Sequence, residues 1–446
     1  MAFDPTPYLL IDGERVECAG AQADTAPLAL DGITVDWGRS EYLSHARPAT
    51  AQLSILDRTG TWAEKFATTT VIGRRIELWW EHPEPASLRW FAGRITAATA
   101  TPQGTHGWVL AITAAARDAD LGNVVMSTPG TWPTETMITR ANRIAQAAAP
   151  AEIDAFYIYP GATEHPCSPL DVGDRDLHGL VDEMYMSAGD TYSYQPHTNV
   201  IRHLYRRNHD VAAYLVQMPD GLIYIQTGDI AYDGQTYKGT GLPGHQTSTD
   251  DGIQLAPNSV INRVQVNWKD TDGGDRTTFA ITADGDTHGR RTLQFASWFN
   301  NDAHIEPMVT EVLNRAQYEG ALPPHPPITW DTRRTKGFHT RTEAEQFTLA
   351  AETQAVTYVS SSLYTAWLPQ LWPVFAIIGG TITYDHGWII TTTLQHVWKT
   401  NPTPQVTWAD LDKNLPWSTG APRQLSESVS WNDLRYLTHP GVYTPS

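Results

Sequence analysis

The stretch Pro48-Ala-Thr-Ala-Gln-Leu-Ser-Ile-Leu-Asp57 puts Ala51, Leu53 and Ile55 at every second position, with Gln52 and Ser54 between them. A period of two lines these three side chains along one face of an extended chain, the pattern of a strand with one buried and one wet side. Working outward, Ile76 and Leu78 repeat the alternation, and Leu88 to Thr96 with Trp108 to Thr113 read as a hairpin pair. Turn chemistry separates these runs at Asp57 to Gly60, around Pro83 and Pro85, and at Gln103-Gly104. Residues 1–125 therefore read as a small antiparallel barrel or sandwich.

After Thr131-Trp132-Pro133 the period changes. Met137, Ile138, Ala141, Ile144, Ala145 and Ala148 follow helical spacing, with Pro133 suited to a first turn and Pro150 as a stop. Leu177, Leu180, Val181 and Met184 predict a second helix with Asp174 and Asp176 at its start and Gly189 past its end. Strands follow at Tyr192 to Gln195, Asn199 to Arg206 and within Ala212 to Thr227, before a polar, glycine-rich loop from Gly239 to Gly252. Residues 126–255 read as an α+β unit with two helices.

In Asn262-Arg-Val-Gln-Val-Asn-Trp268 the alternation returns, and Asp270 to Asp275 supplies the turn into Thr277 to Thr282. Ile305, Met308, Val309, Val312, Leu313 and Ala316 form one helical stripe, which Pro323-Pro324-His325-Pro326-Pro327 terminates. Further strands are expected at Ala355 to Val359, Val374 to Ile378, Thr381 to Tyr384, Trp388 to Thr393 and Val406 to Trp408. Residues 256–400 are read as a second barrel-like unit with an inserted helix, and 401–446 as a C-terminal arm. The fold class is mainly β with α+β insertions, in several domains, as 446 residues exceed what one hydrophobic core sustains.

The net charge of −18, from 49 acidic and 31 basic residues, has the wrong sign for a protein that holds nucleic acid by neutralising phosphates. Charged residues are 18% of the chain, below the roughly 25% of ordinary globular domains, while 17 tryptophans and 18 tyrosines are abundant. That balance points to extensive protein contact, and an aromatic sugar-binding surface would share it. The N-terminus lacks the basic and apolar regions of an export signal, and Leu371 to Ile378 is too short to span a bilayer. A soluble protein folding in a cytoplasm, without membrane insertion, is expected.

Motifs for phosphate loops, nucleophile elbows, zinc helices and dinucleotide folds are absent, so no catalytic, cofactor-binding or metal-ligating residue is assigned and no cofactor is expected. Asp270-Thr-Asp272-Gly-Gly-Asp275 departs from a calcium loop, having Asp275 and Ile281 where Gly and Glu belong, and reads as a hairpin turn. Arg202, His203, Arg206, Arg207 and His209 would spread over both faces of a strand, which favours ion pairs over a phosphate site. Trp79, Trp80, Trp90, Trp108, Trp268, Trp372 and Trp388 lie in or beside strands, where core packing or subunit contact accounts for them. Cys18 and Cys167 are far apart and are expected as buried thiols.

Asp31-Gly-Ile-Thr-Val-Asp-Trp-Gly-Arg-Ser-Glu-Tyr42, the Pro48 to Asp57 strand, Val71-Ile-Gly-Arg-Arg75 and Arg89-Trp-Phe-Ala-Gly-Arg-Ile95 form an ordered set. Thr113-Ala-Ala-Ala-Arg-Asp-Ala-Asp-Leu-Gly-Asn123, Ser259-Val-Ile-Asn-Arg-Val264 and Gly380-Thr-Ile-Thr-Tyr-Asp-His-Gly-Trp388 continue it. Taken in order, these segments resemble minor tail proteins of long-tailed phages infecting actinobacteria, which are similar to the baseplate hub of contractile tails and to type VI spike bases. The resemblance implies a non-enzymatic virion protein at the tail tip. It implies a homotrimer whose two barrel-like tube domains per subunit continue a hexameric tail tube. Implied partners are the distal tail ring protein, the tape-measure protein and other tail-tip or fibre proteins, with transient passage of DNA. Two alternatives fit the composition: a carbohydrate-binding or glycoside-cleaving tail protein, and the neighbouring distal tail ring protein.

Overall fold

Pro7–Ile11 (β1) and Glu14–Cys18 (β2) form a hairpin, followed by Leu28–Ala29 (β3), Ile33–Gly38 (β4) and Thr50–Asp57 (β5). Helix α1 (Thr61–Thr68) then leads to Arg75–Trp80 (β6), Leu88–Pro102 (β7) and Trp108–Ala116 (β8). This computed structural model describes residues 6–18, 28–29, 32–39, 46–68, 70–80, 88–127, 130–157, 162–203, 213–217, 222–226, 244–246, 261–282, 291–321, 327–335, 338, 341–351, 354–360 and 374–396. The alternation that opens the sequence reading is realised in β5, where Ala51, Leu53 and Ile55 are buried. Hydrogen bonding closes seven strands into a ring in the order β1-β2-β3-β5-β8-β7-β6 and back to β1. Every neighbouring pair is antiparallel except β2 with β3.

The helix α1 is an element that periodicity did not reveal. Its start is set by the buried carboxylate of Asp57, at the end of β5, which accepts from the amides of Gly60 at 2.9 Å and Ala63 at 2.7 Å. An aspartate satisfying the open amides of a first turn stabilises a helix by about 1 kcal/mol, enough to convert an expected turn into a short helix.

The chain next forms β9 (Thr131–Trp132), β10 (Glu135–Thr136), α2 (Met137–Ala147), β11 (Ala155–Tyr157), β12 (Pro166–Cys167) and β13 (Leu170–Asp171). α3 (Leu177–Ser187) and the hairpin of β14 (Tyr192–Gln195) with β15 (Val200–His203) complete this stretch. Both expected helices are present. Pro133 lies between β9 and β10 rather than in the first turn of α2, whose N-cap is Thr136. Asp176 caps α3 by accepting from the Gly179 amide at 2.8 Å.

Strands β16 (Ala213–Gln217), β17 (Ile223–Gln226) and β18 (Gly244–Gln246) follow. β19 (Arg263–Lys269), β20 (Asp275–Ile281) and β21 (Thr292–Ala296) then make a separate sheet, with helix α4 (Asp302–Ala321) against it. The hairpin read from Val264, Val266 and Trp268 is β19 with β20. This sheet and helix belong with α2 and α3. The amide of Trp298 donates to Ser187 Oγ at 3.0 Å, the amide of Ser168 donates to Trp298 O at 2.8 Å, and Arg315 donates to Gly189 O.

The last described stretch is β22 (Ile328–Asp331), α5 (Thr332–Thr335), α6 (Arg341–Leu349), β23 (Gln354–Ser360), β24 (Val374–Tyr384) and β25 (Trp388–His396). A second ring closes in the order β16-β17-β18-β22-β25-β24-β23 and back to β16, with one parallel pair, β16 with β23. Its first three strands therefore precede residue 256, where the second barrel-like unit was expected to begin. Linear reading groups neighbours in sequence, whereas this ring is interrupted by the sheet and helix inserted between β18 and β22. Val374 to Ile378 and Thr381 to Tyr384 are one continuous strand, with a register shift against β25 between Ile377 and Gly379. The expected strand at Val406 to Trp408 and the arm 401–446 lie outside the described residues.

Numbered within each ring, the strand orders are identical: 1-2-3-4-7-6-5. Strands 3 to 7 also share their relative directions, while the hairpin of strands 1 and 2 runs the opposite way in the second ring. In both, helix is inserted between strands 4 and 5.

The rings are joined by β4, which pairs with β5 along one edge and with β24 along the other, from Gly379 opposite Gly38 to Tyr384 opposite Ile33. At the crossing the backbones touch. A Cβ on Gly38, which has φ of 81°, would lie 2.2 Å from Ile378 O, and one on Gly379 would lie 2.6 Å from Trp37 O. Gly13 has the same kind of φ, 84°, with nothing within 4 Å of its Cβ position. Gly13→Ala is expected to cost about 1 kcal/mol, and Gly38→Ala more than about 3 kcal/mol because a backbone clash is added to the φ strain. Chemical denaturation of both variants measures the difference; equal losses would show that the seam tolerates separation.

Candidate functional site

The seam between the rings is backed by an aromatic cluster drawn from both. Trp80 and Trp90 of the first ring meet Phe338, Phe347 and Trp388 of the second, at centroid separations from 5.4 Å for Trp90–Trp388 to 6.4 Å for Trp80–Phe347. All five side chains are fully buried. A buried aromatic removes on the order of 150–250 Å² from water, roughly 4–6 kcal/mol gross at about 25 cal/mol per Å². The indole N–H groups of Trp80 and Trp90 have no acceptor among the described residues, so the cluster is held by apolar contact.

Arg39, directly after the seam, fastens the middle unit to it. Its amide donates to Ile378 O at 2.9 Å, its Nε donates to Tyr192 O, and its guanidinium lies 5.0 Å from the Tyr192 ring centre. Burial, then the neighbouring Asp182 carboxylate, hold the Tyr192 hydroxyl well above its ordinary pKa, and it stays neutral. The cleft here, about 200 Å³, is lined by Asp182, Glu183 and Asp190 as well as Tyr185 and Tyr192. These carboxylates are engaged in structure. Glu183 accepts from Trp298 Nε1 at 3.1 Å and pairs with Arg175, and Asp190 accepts from the Thr191 amide at 2.8 Å. Its volume is below the roughly 300 Å³ at which ligand pockets begin.

Of the tryptophans singled out in the sequence, Trp80, Trp90, Trp268 and Trp388 are buried, Trp79 stacks on Tyr8, and Trp108 is 36% exposed. Trp372 lies outside the described residues. Arg202 reaches over the Tyr157 ring at 5.5 Å and His203 Nδ1 is 3.4 Å from Tyr157 O, so the described part of the basic cluster is committed locally; Arg206, Arg207 and His209 lie outside the described residues. The Asp270 carboxylate accepts from the amides of Asp272 at 3.1 Å and Gly274 at 2.7 Å and from Arg276 Nε at 2.9 Å. The Gly274 amide leads the influences that lower its pKa, and the turn satisfies its own charge. No group of three metal-ligating side chains is found among the described residues, and no described helix is long and apolar enough to cross a membrane. Cys167 is buried, and desolvation pushes its thiol up to about 12.

Set against solved structures, the chain is similar to the 43 kDa tail protein of prophage MuSo2 from Shewanella oneidensis. The TM-score is 0.51 at 9% identity, over 87% of this chain and 98% of that one. The chain has the fold of a phage tail protein. A tail protein from Neisseria meningitidis matches with a TM-score of 0.49 at 10% identity, over 89% of this chain and 98% of that one. An Escherichia coli component of the type VI secretion system matches at 0.41 and 10% identity, over 88% of this chain and 77% of that one. No protein-family model matches the sequence, and no curated protein matches it.

The junction residues Gly38, Gly379, Arg39 and Phe347 went unassigned in the sequence reading. Pairing between strands some 340 residues apart leaves no local period by which Gly38 and Gly379 could be matched. Two outcomes follow from the packing. Trp80→Phe should cost under about 1.5 kcal/mol, since the lost N–H has no acceptor, and Trp80→Ala about 3–5 kcal/mol, both read by denaturant unfolding. Asp118 is buried, and desolvation raises its pKa well above the usual carboxylate range against amide hydrogen bonds from Asp118, Ala119 and Ala49. The native state then binds the proton more tightly than the unfolded chain, so stability present below about pH 4 is lost as pH rises towards the native pKa. Asp118→Asn removes that titration and should gain stability relative to the parent as pH rises from about 4 to 7; a pH-independent difference would refute the assignment.

Proposed function

We propose that the chain is a structural hub at the tip of a bacteriophage tail, of the kind found in long-tailed actinobacterial phages. Three copies form a closed ring that adapts a six-fold tail tube to the tip and gives passage to the tape-measure protein and DNA. The observation that carries this reading is the repetition of one strand order in two closed rings of a single chain. Three copies then present six similar barrels, which is what a three-fold particle needs to meet a six-fold tube. In this reading the barrels are the tube domains, and the unit built on α2, α3 and α4 decorates them.

In this reading the hub works without catalysis or a cofactor. Its further partners are the distal tail ring protein and the tape-measure protein, and its place is the tail tip of a virion assembled in the host cytoplasm. A net charge of −18 suits a channel that DNA must leave without sticking. Only side chains within about 8 Å of the strand act on it at physiological salt, so the channel face should be polar and on balance acidic.

A cryo-EM map of the native particle tests the assignment. It should show three copies around the tail axis, each contact burying more than about 2,000 Å². Six copies, a monomer as the working form, or a continuous lysine or arginine ring at the narrowest point would overturn it.

A further inference from the structure

The sixth strand of each ring is divided by a bulge into two halves, and in the first ring the outer edge of the second half has no partner among the described residues. In the second ring, β23 pairs with β24 from Val374 to Ile377, the ladder to β25 shifts between Ile377 and Gly379, and beyond the shift the edge Gly379 to Tyr384 is taken by β4. In the first ring, β6 pairs with β7 from Leu88 to Arg94, and the ladder to β8 shifts between Ile95 and Ala97. Beyond the shift, Ala97 to Pro102 pair with β8 alone, and their other edge has no partner among the described residues. The same strand carries a bulge in both rings, and among the described residues only one of the two outer edges is occupied.

The chemistry of that edge is not that of one meant to stay in water. Thr96-Ala-Ala-Thr-Ala-Thr-Pro102 contains no charge, and the two other devices that blunt an exposed edge, a bulge and a proline, stand only at its ends, at Ile95/Ala97 and Pro102, so that Ala97 to Thr101 between them is unguarded. Its direction can be assigned. The amide of Gln103 donates to Gly107 O at 2.8 Å, so by alternation Thr99 and Thr101 bond to β8 while Ala98, Ala100 and Pro102 turn their backbone groups outward. Pro102, which has no N–H to give, falls in an outward position, where it costs the ladder with β8 nothing and ends the run of outward donors at Ala98 and Ala100. Ala98 and Ala100 also line a groove of about 420 Å³ with Ala63, Phe66, Val71 and Trp108, an apolar trough beside the free edge.

We infer that a second copy of this chain lays a strand along Ala97–Pro102, so that its second ring meets this first ring as the two rings meet within one chain. The inference rests on the ring proposed above and names the surface that closes it. Contact is made by backbone hydrogen bonds to Ala98 and Ala100, with the incoming side chains in the trough beside Trp108.

The test uses the full chain, alone or in isolated tails. Hydrogen exchange with single-residue fragmentation should show the Thr99 and Thr101 amides protected in both monomer and assembly, and those of Ala98 and Ala100 protected only on assembly. Ala98→Pro and Ala100→Pro remove outward N–H groups without touching the bonds to β8. Each should raise the concentration needed for assembly roughly tenfold, read by sedimentation velocity, with the monomer's melting temperature unchanged. Should a proline variant misfold, the exchange pattern of the parent decides alone. Assembly with unchanged exchange at Ala98 and Ala100 would overturn the edge assignment and leave the ring standing. A parent that stays monomeric in solution and in tails would overturn both.

Discussion

Six residues of antiparallel pairing, Ile33 to Gly38 against Gly379 to Tyr384, set how the two halves of the molecule stand to each other. Strand pairing is intolerant of slippage, since a shift by one residue turns every side chain to the opposite face. In β4 that would expel Ile33, Val35 and Trp37 from the core and bring Thr34 and Asp36 in. The register is further pinned by Gly38 and Gly379, whose missing side chains leave room for the opposing backbone and for nothing else. The aromatic cluster behind the seam contributes most of the attraction, but apolar contact is non-directional and does not specify an angle. Direction comes from the hydrogen-bonded edge, and holding strength from Trp80, Trp90, Phe338, Phe347 and Trp388.

Closing a ring with seven strands imposes a further constraint. If every neighbour were antiparallel, the direction would alternate and return inverted after seven steps, so an odd number of parallel pairs is obligatory. Each ring has one, β2 with β3 in the first and β16 with β23 in the second. The two solutions differ only in the sense of the first hairpin, which leaves strands 3 to 7, the connecting helix and the bulged sixth strand equivalent. Those shared parts carry the seam in one ring and, in the other, an edge without a partner among the described residues. Closure also removes most exposed strand edges, so the edges left over stand out as places where another strand belongs.

What could be read in the sequence depended on how local each cause was. The strands at Ala51 to Ile55 and Val264 to Trp268, and the helices at Met137 and Leu177, carry their periods within a dozen residues and were legible. Helix α1 was not, because its cue is the Asp57 carboxylate reaching forward to Gly60 and Ala63, which the sequence presents as a turn. β22 and α6 were missed for a related reason: Ile328–Asp331 is only four residues long, and its status as strand 4 comes from pairing with β18 and β25. The boundary near residue 256 failed to separate the units because the chain leaves the second ring after β18 and returns at β22. Nothing in the composition of Arg263 to Ala321 announces that it packs on α3 through Ser187, Trp298 and Arg315.

In the closed assembly proposed above, a joint that combines a short ladder with a buried aromatic core would serve a part that repeats around an axis. In a closed assembly each unit inherits the angular error of the one before it, so a joint fixed by hydrophobic contact alone would accumulate error until the ring failed to meet. A ladder fixes the angle between its two strands through the geometry of its hydrogen bonds, and glycine at the crossing forbids the small splaying that a side chain would introduce. Arg39 extends the control outward, because one guanidinium ties the residue after the seam to the carbonyl of Tyr192 and hence to the unit that β14 belongs to. A change in the angle between the rings would have to break that bond, the Gly38 crossing and the aromatic packing together. The two barrels of one chain are therefore held at one angle by three independent kinds of contact.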